Sequence, residues 1–384
     1  MQTFNHFMPV DIHFGNNILK DSERFNLPFH KAFILTGREA YKDAKKAFNT
    51  LLKQLEANNI KYVIEDTIEH PLTIQTIHQS ALKAKKASCD FIIGFGSGKS
   101  LDASKLVAKL INEEDYTLLD AWMKSKTYPP FETEKAFLLT IPTSLNHASA
   151  FNPKAFIYDL QIQRQIRFKH ESLFPSMTIC DPLLIKTLPI KHRFSPLIDT
   201  FIRAIDVLEK DYSPLHNEHA LRTLKTLIDT ASGLNRENPE ETTVYQIVFA
   251  LSYLNQLYMP KPWFPLHQLS DAIEGYHETL PPSAFIKKAA PYYLSHRLTQ
   301  YKNKTLNHLM ESFKATPYQS KNLFVSIKYF FAALNDDDVS LKRAGLELEL
   351  ISDYMVHMKT IYPDFNKLSS EALYDILEQT LLQE

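Results

Sequence analysis

Glycine is scarce in this chain: there are eight in 384 residues, and three of them, Gly94, Gly96 and Gly98, fall within five positions. They sit in the run Phe91-Ile92-Ile93-Gly94-Phe95-Gly96-Ser97-Gly98-Lys99-Ser100-Leu101-Asp102-Ala103-Ser104-Lys105. An apolar strand enters a turn of small residues, and an amphipathic segment follows over residues 101–110. A glycine-bearing turn at the start of a helix lets backbone N–H groups and the positive end of the helix dipole face a phosphate. The spacing is not that of the Rossmann fingerprint, in which two residues separate the second glycine from the third. It is not a P-loop either, because the first glycine of that motif would fall on Ile93. On its own the loop admits two readings, a phosphate cradle or a tight strand-to-helix turn without a ligand.

The elements around the loop favour a sheet that places it usefully. Residues 31–36, 62–64, 91–94 and 136–143 read as apolar strands, and residues 155–158 as an edge strand. Helical patterns over about 40–58 and 72–87 separate the first three. Strands alternating with helices predict a doubly wound, mostly parallel sheet, whose ligands lie beyond the carboxyl ends of the strands. After Asp181-Pro182 the pattern turns helical almost throughout, with prolines at the junctions. The expected architecture is an α/β nucleotide-binding domain over residues 1–183 and an all-α domain over residues 184–384.

Composition narrows the function classes. Apolar residues make up 44% and charged residues 23%, with a formal net charge of −1, which argues against a nucleic-acid or anionic-membrane partner. The lysines of Lys83-Ala84-Lys85-Lys86 read as a solvated helix face. Cys89 and Cys180 lie in or beside apolar runs and read as buried thiols, neither a disulfide nor a metal motif. Residues 1–10 carry no signal pattern and no apolar run reaches membrane-spanning length, so the cytoplasm is the expected compartment.

Taken in order, the landmarks resemble the iron-containing (group III) alcohol dehydrogenase family, of the glycerol dehydrogenase and dehydroquinate synthase-like superfamily. The resemblance runs through Phe14-Gly15, Glu69-His70-Pro71, the loop Gly96-Ser97-Gly98-Lys99-Ser100-Leu101-Asp102-Ala103-Ser104-Lys105, Ile141-Pro142-Thr143-Ser144, and Asp181-Pro182 before Leu188-Pro189. It implies that Gly96, Ser97, Gly98 and Lys99 hold the pyrophosphate of NAD or NADP. Asp102 would anchor the loop or the nicotinamide side, and Thr143 and Ser144 would meet the adenine or ribose. Where many members end the first strand with an acidic residue that selects NAD, this chain has Thr36-Gly37-Arg38. A missing carboxylate beside a guanidinium favours a 2′-phosphate, hence NADP, while Arg38 as a plain surface residue is the competing reading. The family's Gly-Thr-Gly-Ser-Glu is replaced by Asn146-His147-Ala148-Ser149-Ala150, which leaves His147 as a cofactor-side candidate. The family's cofactor-contacting lysine falls at or near Gln165, between Arg164 and Arg167.

The resemblance also implies a divalent metal, Fe²⁺ or Zn²⁺, held by one Asp and up to three His of the helical domain. Asp199 and His277 match two of those ligands, whereas Arg203 and Trp263 stand where others belong, and Glu278 replaces the usual glycine after His277. Two side chains cannot fix a divalent ion tightly, so the metal site is expected to be degenerate. Arg203 lies one turn after Asp199, the spacing of a helical ion pair. Such a pair could replace the metal electrostatically, with His267, at the nicotinamide-side position, as proton donor to the product alcohol. The bland alternative is a buried salt bridge beside core histidines.

The expected function is therefore NAD(P)-dependent interconversion of a small-molecule alcohol and an aldehyde or ketone, by a cytoplasmic protein and a homodimer if it follows the family. A catalytically silent nucleotide-binding homologue and a repurposed sugar-phosphate enzyme of the dehydroquinate synthase type are the alternatives. Arg164, Arg167, Arg203 and Lys99 would suit an anionic substrate of the latter.

Overall fold

The computed structural model describes residues 7–68, 71–125, 127–144, 148–162, 164–188, 194, 196–210, 213–233, 240, 265–277, 280, 284–300, 304–334, 339–361 and 368–382. The chain divides into two compact units, one running from Phe7–Pro189 and the other containing Ile190–Glu384.

In the first unit six strands form one sheet. They are β1 (Asp11–Phe14), β2 (Lys31–Leu35), β3 (Lys61–Glu65), β4 (Phe91–Gly96), β5 (Phe137–Pro142) and, last in the chain, β8 (Met177–Cys180). Their order is β1-β8-β5-β4-β2-β3, and every neighbouring pair is parallel. The apolar runs of β2 and β4 follow from this, because a central parallel strand is buried on both faces. Phe33, Leu35 and Ile92 turn to one face, against Ile77 and Ala81 of α3 (Ile74–Lys86) and Leu106 and Leu110 of α4 (Gly98–Leu110). Ala32, Ile34 and Ile93 turn to the other, against Phe48, Leu51 and Leu55 of α2 (Lys45–Ala57). The sheet is thus doubly wound, and α4, which starts at the glycine-rich loop, lies over its centre, with α5 (Thr117–Ser125) and α6 (Ala148–Phe151) following it in the chain.

Residues 155–158, expected as an edge strand of this sheet, instead belong to a separate antiparallel ribbon. β6 (Lys154–Asp159) pairs with β7 (Arg164–Lys169) through a short connection, which allows only antiparallel pairing. The strands β1 and β8 were not expected. Each has four residues, too few to show a period, and it is their pairing with each other and of β8 with β5 that makes them strands.

The second unit is helical, with no strand among the described residues. Its helices are α7 (Pro196–Lys210), α8 (Pro214–Ser232), α9 (Pro265–Tyr276), α10 (Ala284–Gln300), α11 (Lys304–Phe313), α12 (Leu323–Leu334), α13 (Ile351–Ile361) and α14 (Ser370–Leu382). The polar pair His216 and His219 opens α8. His216 is buried with its Nδ1 2.6 Å from the hydroxyl of the capping Ser213, so it serves the helix end. No helix among the described residues is long and apolar enough to cross a membrane.

Candidate functional site

In the α/β unit the carboxyl ends of β2, β4 and β5 bring three sequence segments together. Gly94 lies inside β4, and a Cβ there would stand 2.4 Å from Ser104 Oγ, so only glycine lets α4 pack this close to the strand. Gly96 ends β4 with φ +137°, a backbone that favours glycine, and its Cβ would press on Ser100 Oγ at 3.0 Å and Ala40 Cβ at 3.2 Å. The Thr143 N–H donates to the Gly96 carbonyl at 3.0 Å, which fixes the Pro142-Thr143-Ser144 turn beside the loop. Gly37 precedes α1 (Arg38–Asp43), and a Cβ on it would lie 2.9 Å from the Ile68 carbonyl and 3.8 Å from Ser100 Oγ. Gly37, Gly96, Ser100 and Thr143 therefore share one corner of the sheet.

The outer side of that corner is open. A Cβ on Gly98, the first residue of α4, would meet nothing within 4 Å. Ser97 is exposed at the N-cap and its side chain makes no capping bond to the helix. Arg38 is exposed at the start of α1, while Lys99 and Ser144 are half-buried. A 13-residue helix whose own cap side chain leaves its N-terminus uncovered, reached by a glycine with no neighbour, fits the phosphates of a dinucleotide. His147 lies outside the described residues, as does Asn146. Gln165 and Arg167, with Arg164, belong to β7 of the ribbon.

The two inner glycines and Gly98 should respond differently to substitution. Gly98→Ala is expected to leave folding stability within about 1 kcal/mol of the parent, since the position is helical and open. Gly96→Val should cost about 1–3 kcal/mol through backbone strain and crowding. Equal losses for the two in urea denaturation would contradict the geometry of the loop.

Asp102 turns inward, away from the open side of the loop. Its Oδ2 accepts the Phe156 N–H of β6 at 3.1 Å, and its Oδ1 accepts the Ser149 hydroxyl and the Lys105 ammonium, the latter at 3.4 Å. Lys105, almost fully buried, also donates to Ser149 Oγ at 2.8 Å, Asn152 Oδ1 at 3.1 Å and the Lys154 carbonyl at 2.5 Å. Burial pushes the Asp102 carboxyl up and draws Lys105 down from 10.5 to about 8, while each charge opposes the shift of the other. Ser149, Asn152 and Lys105 were not singled out from sequence as site residues. The i,i+3 spacing of Asp102 and Lys105 was the one available signal, because their other partners are more than forty residues away.

In the helical unit, Asp199 on α7 is buried, and Arg203 one turn later forks onto it, with Nε 2.9 Å from Oδ2 and Nη2 3.5 Å from Oδ1. From α9, Nε2 of the buried His267 meets Oδ1 of the same carboxylate. Burial raises the Asp199 carboxyl, but Arg203 and His267 outweigh it and hold it well below the usual carboxylate range. Burial, then the Arg203 guanidinium, lowers His267 despite Asp199. Asp206, one turn beyond Arg203, accepts the Tyr293 hydroxyl at 2.7 Å and so ties α7 to α10. His277, just past α9, has its Nε2 2.7 Å from the Tyr354 hydroxyl of α13, and burial lowers it as burial pushes Tyr354 up to about 12.

These residues do not fit a tightly held divalent ion. Catalytic sites use about three protein ligands and an open position. Here the carboxylate of Asp199 is engaged by Arg203 and His267, and His277 Nε2 lies against Tyr354. Among the described residues, no group of three or more His, Cys, Asp or Glu side chains is placed to hold a metal. Trp263, which stands at a ligand position of the pattern, and Glu278 lie outside the described residues. A dication on Asp199 would also face the guanidinium, and charges of +2 and +1 about 4 Å apart repel by roughly 8 kcal/mol at an effective dielectric near 20.

Residues 9–182, the span holding this whole corner of the sheet, match the family model described as iron-containing alcohol dehydrogenase. "NADP-dependent alcohol dehydrogenase 3" of Entamoeba histolytica is 23% identical over 261 residues, covering 66% of this chain and 65% of that protein, so the chain spans just under two thirds of this relative's length. "Probable NADH-dependent butanol dehydrogenase 1" of Bacillus subtilis is 20% identical over 308 residues, 78% of this chain and 77% of that one. Among solved structures, an NADH-dependent butanol dehydrogenase A of Thermotoga maritima superposes with TM-score 0.81 at 17% identity, covering 99% of both chains, which shows a common fold. The family motifs thus stand in order, the iron-containing alcohol dehydrogenase model matches the α/β unit, and the fold is shared along the chain with that butanol dehydrogenase.

Proposed function

We propose that the chain is an NAD(P)-dependent oxidoreductase that interconverts a small-molecule alcohol and its aldehyde or ketone. The observation that carries this reading is the open corner of the sheet, where Gly37, Gly96, Gly98, Ser100 and Thr143 converge at an uncovered helix N-terminus. Ser97, Gly98 and Lys99 would hold the pyrophosphate through the first turn of α4, and Thr143 and Ser144 the adenosine side. Asp102 acts from behind, locking α4 to β6. The dinucleotide, when bound, supplies the hydride acceptor for the alcohol and the hydride donor for the carbonyl. In the helical unit, Arg203 is the proposed partner of the substrate oxygen and His267 the group that exchanges its proton. A cytoplasmic homodimer is the family expectation for such an enzyme.

NADP is the proposed form of the cofactor. Strand β2 is followed by Thr36 and Gly37, neither with a carboxylate to repel a 2′-phosphate, and Arg38 comes next at the surface. Titration of protein fluorescence with NADPH and NADH tests this directly. NADPH should bind about tenfold or more tightly than NADH, and Arg38→Ala should raise the NADPH Kd about tenfold while leaving NADH unchanged, a difference near 1.4 kcal/mol. Failure of both nucleotides to bind would end the reading. Binding of either one without turnover over a panel of alcohols and aldehydes would favour the second reading, a silent nucleotide-binding homologue. That reading is supported by the engagement of Asp199 with Arg203 and His267.

A further inference from the structure

The polar cluster of the helical unit carries an inference that rests on the oxidoreductase reading and goes beyond it. Its three side chains differ in access: Asp199 and His267 keep 9% and 7% of their side-chain surface, whereas Arg203 keeps 22%. Of the three side chains, Arg203 is therefore the one a ligand reaches most readily. That guanidinium is held in place, since Nε and Nη2 both lie on the buried carboxylate of the preceding turn. Arginine stays protonated at any pH the fold survives, so the charge is permanent. A fixed guanidinium beside a dry carboxylate is a preorganised donor for an oxygen that gains negative charge.

We propose that Arg203 is this protein's built-in replacement for a divalent ion, and that the protein is a metal-independent relative of the iron-containing alcohol dehydrogenases. The guanidinium offers N–H groups to the oxygen of the alcohol or carbonyl, and Asp199 is the positioning residue that aims it. The cluster excludes a cation twice over, because its carboxylate is already occupied by donors and its open side presents a positive charge. The ligand oxygen is instead neutral or anionic, as in an alcohol, an aldehyde or a ketone passing through an alkoxide.

The test uses the full-length wild-type protein, purified after expression in medium supplemented with zinc and iron and then exposed to Zn²⁺ or Fe²⁺. Elemental analysis should find no stoichiometric metal, and the melting temperature should stay put on adding EDTA, Zn²⁺ or Fe²⁺. Arg203→Leu should lower kcat about 100-fold or more with the NADPH Kd unchanged, and Arg203→Lys, which keeps the charge but not the fork, should recover part of that loss. One tightly bound ion per chain, a melting temperature lowered by EDTA, or a fully active Arg203→Leu variant would each overturn the proposal. Metal content and melting temperature decide it even if no turnover is found. Absence of NADPH binding would strike at the oxidoreductase reading alone.

Discussion

Replacing Asp102 by alanine is expected to destabilise the α/β unit by about 3–5 kcal/mol at pH 7. The side chain removed is the only anion within hydrogen-bonding reach of Lys105 among its described partners; Ser149, Asn152 and the Lys154 carbonyl are neutral acceptors. The ammonium would stay buried with its charge uncompensated, and the Phe156 N–H would lose the carboxylate it donates to. The loss should also depend on pH in a definite sense. Burial already brings Lys105 down to about 8 against an unfolded value near 10.4, so the unfolded chain binds the extra proton between those limits and stability rises with pH across that window. Without Asp102 the lysine falls further, the window opens lower, and the variant should recover part of its deficit between pH 7 and 9. Urea denaturation of both proteins at the two pH values measures this. A variant within about 0.5 kcal/mol of the parent at pH 7 would mean that the cluster is not load-sharing with α4. Asp102→Asn keeps an acceptor for Ser149 and Phe156 and should fall between the two.

Much of what positions this site is legible in the sequence, and the residues that are not share a physical reason. Strands β2, β4 and β5 announce themselves because central parallel strands are buried on both faces, so each is a continuous apolar run. Strands β1 and β8 do not, being four residues each and dependent on partners far along the chain. The ribbon β6–β7 has no glycine or asparagine at its turn, so an apolar run there could be read as an edge strand. The same division holds for chemistry. Spacing exposes Gly94, Gly96 and Gly98 as a tight strand-to-helix turn and Arg203 as the partner of Asp199, because both are local helix or turn geometry. It cannot show that His267, 68 residues on, meets the same carboxylate, or that His277 meets Tyr354 instead. Those pairings are decided by how α7, α9 and α13 pack, which no local pattern encodes.

The Asp199–Arg203 pair gives the largest effect expected in the helical unit, and a double-mutant cycle separates its charge from its packing. Asp199→Leu would leave a half-buried guanidinium without its carboxylate, and Arg203→Leu would leave a buried carboxylate with only His267 beside it. Each change should cost about 3–5 kcal/mol, since breaking a buried pair strands the other charge. Changing both should cost less than the sum by about 2 kcal/mol or more, because the double variant buries no stranded ion. The contribution of the pair should hold across the neutral range. The folded carboxyl lies below its unfolded value near 3.9, so this stability is fully present above that pH and is lost only as acid carries the pH down through the folded value. Denaturation of the four proteins at pH 7 should therefore return the full coupling energy. If the cycle is additive, Asp199 and Arg203 are neighbours that do not hold one another, and an unheld guanidinium could not be the preorganised cation this helical unit needs. Strong coupling is what a fixed charge requires, and the proposed role of Arg203 in place of a divalent ion depends on it.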